Sequence, residues 1–201
     1  VYKRQGLNHT GIAGVAPEAK ILALRACRQV SEADPQGRGN SVSIARAIDA
    51  AVSHKAGIVN MSFGSGTPDR LIARLIEAGA SRGILFVAPV GNRGGLSVPI
   101  FPASLERVIT VGGVKENGDA FPSPALAAAA TVCAPCEHLF TTIPGNRYNF
   151  VDGTSISAAV VSGVLALALE KRQFLRKEDL PSTCSDIRLW TEALLGIPLS
   201  E

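Results

Sequence analysis

The sequence predicts an α/β domain: a doubly wound, mostly parallel sheet with helices on both faces. Three observations lead there. Short apolar runs alternate with amphipathic helical patterns along most of the 201 residues. Hydrophobic residues make up 46% and charged residues 18%, enough for one sizeable core and too apolar for a disordered chain. Two apolar runs end in glycine-rich loops, MSFGSG (61–66) and APVGNRGG (88–95), and in such sheets function collects at the carboxyl ends of strands.

Taken in order, KILALRA (20–26) reads as the first strand, bounded by the Pro17 turn and the polar loop SEADPQGRGN. Asn40 or Ser41 caps a helix whose Ile44, Ile48, Ala51 and Val52 share one face. GIVNMSF (57–63) is a second buried strand. The next helix opens at Thr67-Pro68-Asp69, with threonine as cap, and its apolar stripe holds Leu71, Ile72, Leu75, Ile76 and Ala78. GILFVAPV (83–90) and RVITVGGV (107–114) are further strands. From 117 to 150 the pattern loosens into loops, with TVCAP and a hairpin from LFTTIPGNRYNFV. A helix from Ser155 to about Lys171 is apolar nearly all round, which puts it inside the domain. A short helix near Asp186 to Leu195 closes the tail, and no internal repeat is visible.

The net charge of +3 owes two units to Lys3 and Arg4, leaving +1, so no nucleic-acid or anionic-membrane partner is implied. The longest apolar run is too short and too interrupted to span a bilayer. VYKRQ (1–5) shares no pattern with the rest of the chain and matches the translation of a common sequencing adapter. Residues 1–5 are therefore expected to be foreign, residues 6–172 to form the domain, and residues 173–201 to be a C-terminal tail. On that expectation the natural N-terminus is missing. Cys133 and Cys136 form C-x-x-C with His138 two residues on, but no second pair supplies a fourth ligand. We expect no metal there, and either a disulfide or two free thiols.

Ser155 leads the apolar helix directly after Gly153-Thr154. A serine in a first helical turn lies beside free backbone N–H groups and the positive end of the helix dipole, which favours an anion forming next to its hydroxyl. Taken alone it is a helix cap.

It is not alone. GIAGVAPEAKILALRA, IVNMSFGSG, FVAPVGNRGG, FPASLERVITVGG, CAPCEHLFTTIPGNRY and DGTSISAAVVSG resemble, in order and near spacing, the blocks of subtilisin-like serine peptidases, over about residues 11–171. The resemblance implies a subtilisin-like fold incomplete at its N-terminus. It implies Ser155 as nucleophile of an acyl-enzyme and Asn92, after Gly91, as the side-chain donor of the oxyanion hole. It also implies that Ser62, Phe63 and Gly64 are the strand edge that pairs with extended peptide and walls the main specificity pocket, and that Gly91 binds substrate as well. A peptide or protein substrate, no cofactor and an extracytoplasmic location are implied with them.

Departures from the family pattern accompany the matches. Ile156, Ser157, Ala159, Val160 and Ser162 replace the commoner residues of the serine block, and none removes a proton-transfer group. Cys136 stands where the family has glycine, and Ala88-Pro89-Val90 where alanines are usual. More serious, the aspartate strand and the H-G-T helix that should precede G-V-A-P at Gly14 are absent. His9 lies too close to Gly14, His54 reads as a solvated cap partner, and His138 as an exposed loop residue. The chain alone is therefore expected to be inactive. Two other readings compete. One is an inactive homologue that only binds peptide. The other is a nucleotide-binding domain resting on GRGNSV (37–42), which lacks the third glycine of the G-x-G-x-x-G pattern.

Overall fold

A computed structural model describes residues 11–31, 34–143, 145, 147–172, 175–180 and 187–196. Residues 1–5, His9 and Cys184 lie outside them. The elements are β1 (Cys27–Ser31), β2 (Asp34–Gly39), α1 (Ser41–Ser53), β3 (Ile58–Asn60), α2 (Arg70–Ala80), β4 (Leu85–Pro89), β5 (Val108–Val114), β6 (Ala120–Phe121), α3 (Pro124–Ala128), β7 (Val132–Pro135), β8 (Leu139–Ile143), β9 (Arg147–Val151), α4 (Thr154–Lys171) and α5 (Ile187–Leu195).

The central sheet runs β3-β4-β5-β6, with β7 also paired to β5. All its pairings are parallel except β5 with β6. Because side chains alternate across a strand, β4 and β5 feed two cores at once. Leu85, Val87, Ile109 and Val111 face α4, whose Ala158, Val161, Leu165 and Ala168 complete that layer. Phe86, Ala88 and Val108 face the other way, onto Ile48 of α1 and Ile72 and Ile76 of α2. Helices therefore cover both faces, as the alternation of elements predicts. Leu175, Leu180 and Leu194 join the α4 side.

By length and composition α4 is the one described helix able to cross a bilayer. It packs against β3, β4, β5, β7 and α5 within the domain. A β-carbon on Gly163 would stand 2.7 Å from Val15 Cβ, so the segment before the first apolar run lies tight against this helix.

Several expectations need correction. KILALRA forms no strand: residues 21–26 pair with nothing in a sheet, and Ile21, Leu22 and Leu24 are exposed. Apolar character alone does not make a strand without a neighbour to receive its hydrogen bonds. The polar stretch after it is partly a two-stranded antiparallel hairpin, β1 with β2. GRGNSV begins on β2, so its glycines are ladder residues and form no phosphate-binding turn. GIVNMSF is half-buried and only three residues of it pair, at an edge of the sheet. The caps are Asn40 for α1 and Asp69, not Thr67, for α2. Asp69 Oδ1 accepts from the N–H groups of Leu71 (2.9 Å) and Ile72 (3.0 Å). Leu71 and Ala78 face solvent, and Gly79 takes a buried place in that stripe. Within 117–150 the expected β8–β9 hairpin forms, and α3 and β6 are additional.

Candidate active site

The site is assembled where the carboxyl ends of β3 and β4 meet the amino end of α4. Gly153 precedes α4 with φ 129°, a backbone angle that favours glycine. A β-carbon there would also stand 3.1 Å from Asn92 Nδ2. The glycine thus serves the turn and the close approach of the asparagine together.

Thr154 is fully buried and fixes Asn92. Asn92 Oδ1 accepts from the Thr154 N–H (2.9 Å) and from Thr154 Oγ1 (2.8 Å). With the amide oxygen so engaged, its two Nδ2 protons are the free donors. Thr154 Oγ1 also lies 3.2 Å from Gly91 O, tying the end of β4 to the start of α4. Ser155 comes next, half-buried. Among the described residues nothing bonds to its Oγ or its backbone N–H.

The opposite wall is the chain after β3. Ser62 Oγ donates to Ser155 O (3.0 Å) and accepts from Asn60 Nδ2 (2.8 Å). Ser162 Oγ, one side of α4, lies 3.0 Å from Asn60 Oδ1. These contacts join β3 to α4 and hold Ser62, Phe63 and Gly64 beside the turn that carries Ser155. All six residues singled out from sequence are thus brought together from three segments, the outermost of them 93 residues apart at Ser62 and Ser155.

The two departures in the neighbouring segments are accommodated. Pro89 sits in the middle strand, but its nitrogen falls on the β3 side, beyond Asn60, the last residue of β3 paired to β4. Val90 N–H still donates to Val111 O at 2.9 Å. Cys136 lacks the positive φ of a glycine position. Its Sγ lies 3.4 Å from Val114 O, in space that the missing side chain of Gly113 leaves open. Burial, then the carboxylates of Glu137 and Asp152, push its thiol up to about 11, so it is protonated and poorly nucleophilic at neutral pH. Cys133, by contrast, is disulfide-bonded while Cys136 is free, so the C-x-x-C is neither a closed pair nor two thiols.

Neither described histidine bonds to Ser155. His54 Nδ1 lies 2.8 Å from Ala50 O at the end of α1, and His138 faces Glu116 at 3.8 Å in an exposed loop. A concavity of about 720 Å³ opens at the amino ends of β4 and β5, lined by Arg82, Arg107 and Lys177 among others. It is at the opposite edge of the sheet from Ser155.

Thr154 and Asn60 were not singled out from sequence. Thr154 belongs to the G-T-S block, yet periodicity cannot say whether a first-turn threonine points inward. Asn60 lies in a strand whose side-chain direction depends on register.

A family model described as the subtilase family matches residues 4–190. Subtilisin BL of Lederbergia lenta is 32% identical over 164 residues, covering 82% of this chain and 58% of its own length. The thermophilic serine proteinase of Bacillus sp. (strain AK1) is 36% identical over 160 residues, covering 80% and 38%. The chain thus spans about half the length of the curated relatives it matches. Among solved structures, the self-cleaved protease domain of PatA superposes with a TM-score of 0.77 at 23% identity, covering 98% of this chain and 82% of that one. Sphericase gives 0.69 at 26% identity, covering 86% and 61%.

Proposed function

The chain belongs to the subtilase family, and from that premise we propose that it carries the nucleophile half of a serine endopeptidase. Ser155 Oγ attacks the carbonyl of an extended peptide as the general base takes its proton, and the acyl-enzyme forms as the C–N bond breaks and that proton passes to the departing amine. The oxyanion that develops is met by Asn92 Nδ2 and the Ser155 N–H. Peptide main chain adds to the edge at Ser62–Gly64. The observation that supports this reading is the clamp of Thr154, the residue before Ser155, on Asn92 Oδ1, which leaves the amide nitrogen as the free donor.

The general base and its aspartate belong to sequence outside these 201 residues. Two observations support that: no described histidine bonds to Ser155, and the apolar stretch Ile21–Leu24 is exposed. The bonded Cys133 fits an oxidising, extracytoplasmic compartment.

Active-site labelling with a fluorophosphonate tests the reading. Without a base the serine hydroxyl stays protonated and weakly nucleophilic, and oxyanion stabilisation alone leaves only about 10³- to 10⁴-fold over water. The 201-residue chain should label slowly, and the full-length protein that carries it rapidly, at Ser155. A full-length protein that does not label, or whose labelling survives Ser155→Ala, removes the proposal. Fast stoichiometric labelling of the short chain would place a base within it.

A further inference from the structure

The groove between the two walls of the site holds one side chain, that of Ile100, within contact of both Gly64 and Gly91. The backbone explains why it stands there. Ile100 N–H donates to Val90 O (3.3 Å), which fastens it to the end of β4. The next residue, Phe101, exchanges hydrogen bonds with Ser65 (2.8 and 3.1 Å), which fastens it to the chain after β3. The segment therefore bridges both walls, and the Ile100 side chain is held between them. A β-carbon on Gly64 would overlap Ile100 Cδ1 and stand 2.7 Å from Cγ1. On the other wall, a β-carbon on Gly91 would stand 3.1 Å from Cδ1 and 3.3 Å from Cγ1. One isoleucine thus fills, to contact on both sides, the space that two facing glycines leave open.

We infer that Ile100 restricts the peptide to a small residue, glycine or alanine, at the position whose carbonyl is attacked. The inference rests on the peptidase reading and names its substrate class. A peptide paired along Ser62–Gly64, with its carbonyl beside Asn92 and Ser155, has the Cα of that residue between the same two glycines. Its side chain has only the groove to enter, and Ile100 occupies the depth a leucine or phenylalanine would need. Close-packed groups do not yield a volume of that size without displacing a neighbour.

The test uses the full-length protein and four fluorogenic peptides that differ only in the residue before the fluorophore: glycine, alanine, leucine and phenylalanine. Fluorophosphonate labelling of Ser155 is measured in parallel, as an independent report on the nucleophile. The expected result is that kcat/KM for alanine exceeds that for phenylalanine by about 100-fold, the discrimination a filled pocket of this kind achieves. Ile100→Ala should lower that ratio at least about tenfold. Ile100→Val removes Cδ1 alone with little cost to folding and should shift the ratio towards leucine, keeping the test open if the alanine variant is unstable. A wild-type preference for phenylalanine or leucine, with Ser155 labelled normally, overturns the inference and leaves the peptidase reading standing. A ratio unmoved by both substitutions overturns it as well. No hydrolysis of any peptide together with no labelling removes both readings.

Discussion

Thr154 uses two groups, its backbone N–H and its hydroxyl, to hold one oxygen of Asn92, and that fixes what the other end of the amide can do. On the proposed reading of Asn92 as the oxyanion donor, Asn92→Ala in the full-length protein should lower kcat about 100- to 1,000-fold with little change in KM, the range known for removing such a donor in a subtilisin. Thr154→Val keeps the backbone bond and loses the hydroxyl one, so kcat should fall by about five- to tenfold, the worth of one such bond. Thr154→Ser should restore most of it. On that reading the lost contact orients a transition-state donor, so the change belongs in kcat. A rise in KM alone, or a loss that serine does not rescue, would make Thr154 a packing residue only. At this scale the sequence blocks singled out Ser155, Asn92 and Ser62–Gly64, and the fold joins the segments that carry them. The sequence was silent where a role depends on which way a side chain points. Nothing in the run RGGLSVPI marks Ile100, whose place is set by bonds from its neighbours to two separate strands.

Among the elements, the helices were easier to read than the strands. The caps and apolar faces of α1 and α2 lie within a few residues of each other, so local sequence contains nearly all the information. A strand needs a partner, and the partner is remote. KILALRA has a strand's composition and no ladder, while β1 and β2 have a loop's composition and form one. The cap of α2 gives a pH dependence that can be measured. The Ser41 hydroxyl foremost, then the N–H groups of Ile72 and Leu71, bond to the Asp69 carboxylate and hold its pKa below the usual 3.8. A carboxylate whose folded pKa is depressed contributes stability that is present above its unfolded value and lost as pH falls through the folded one. Urea unfolding should therefore show wild type losing its advantage over Asp69→Ala as pH drops from neutral to below 3.8, whereas Asp69→Asn, which keeps an accepting oxygen, should lack that dependence. Parallel pH profiles for the wild type and both variants would count against the cap.

For the molecule as a whole, two groups of large apolar side chains face solvent: Phe140, Tyr148 and Phe150 on the β8–β9 hairpin, and the run Ile21, Leu22 and Leu24 ahead of β1. The last three are 49%, 45% and 37% exposed, although Ala16, a few residues earlier, is buried. Nearer the start of the described residues Gly14 is buried, Ile12 and Val15 are half-buried, and Val15 lies against α4. Within this stretch the exposed large apolar side chains are those of the run itself, ahead of β1. On the reading that the base and its aspartate come from further sequence, the same segment supplies the missing cover, and one substitution separates the cases. Leu22→Asp should leave the stability of the 201-residue chain nearly unchanged, within about 0.5 kcal/mol, because the side chain is already in water. In the full-length protein it would bury an unpaired carboxylate and should cost at least about 2 kcal/mol, with a matching loss of Ser155 labelling as the base is displaced. Equal effects in the two proteins would mean that nothing packs on Leu22, and that the general base must reach Ser155 from some other side of the sheet.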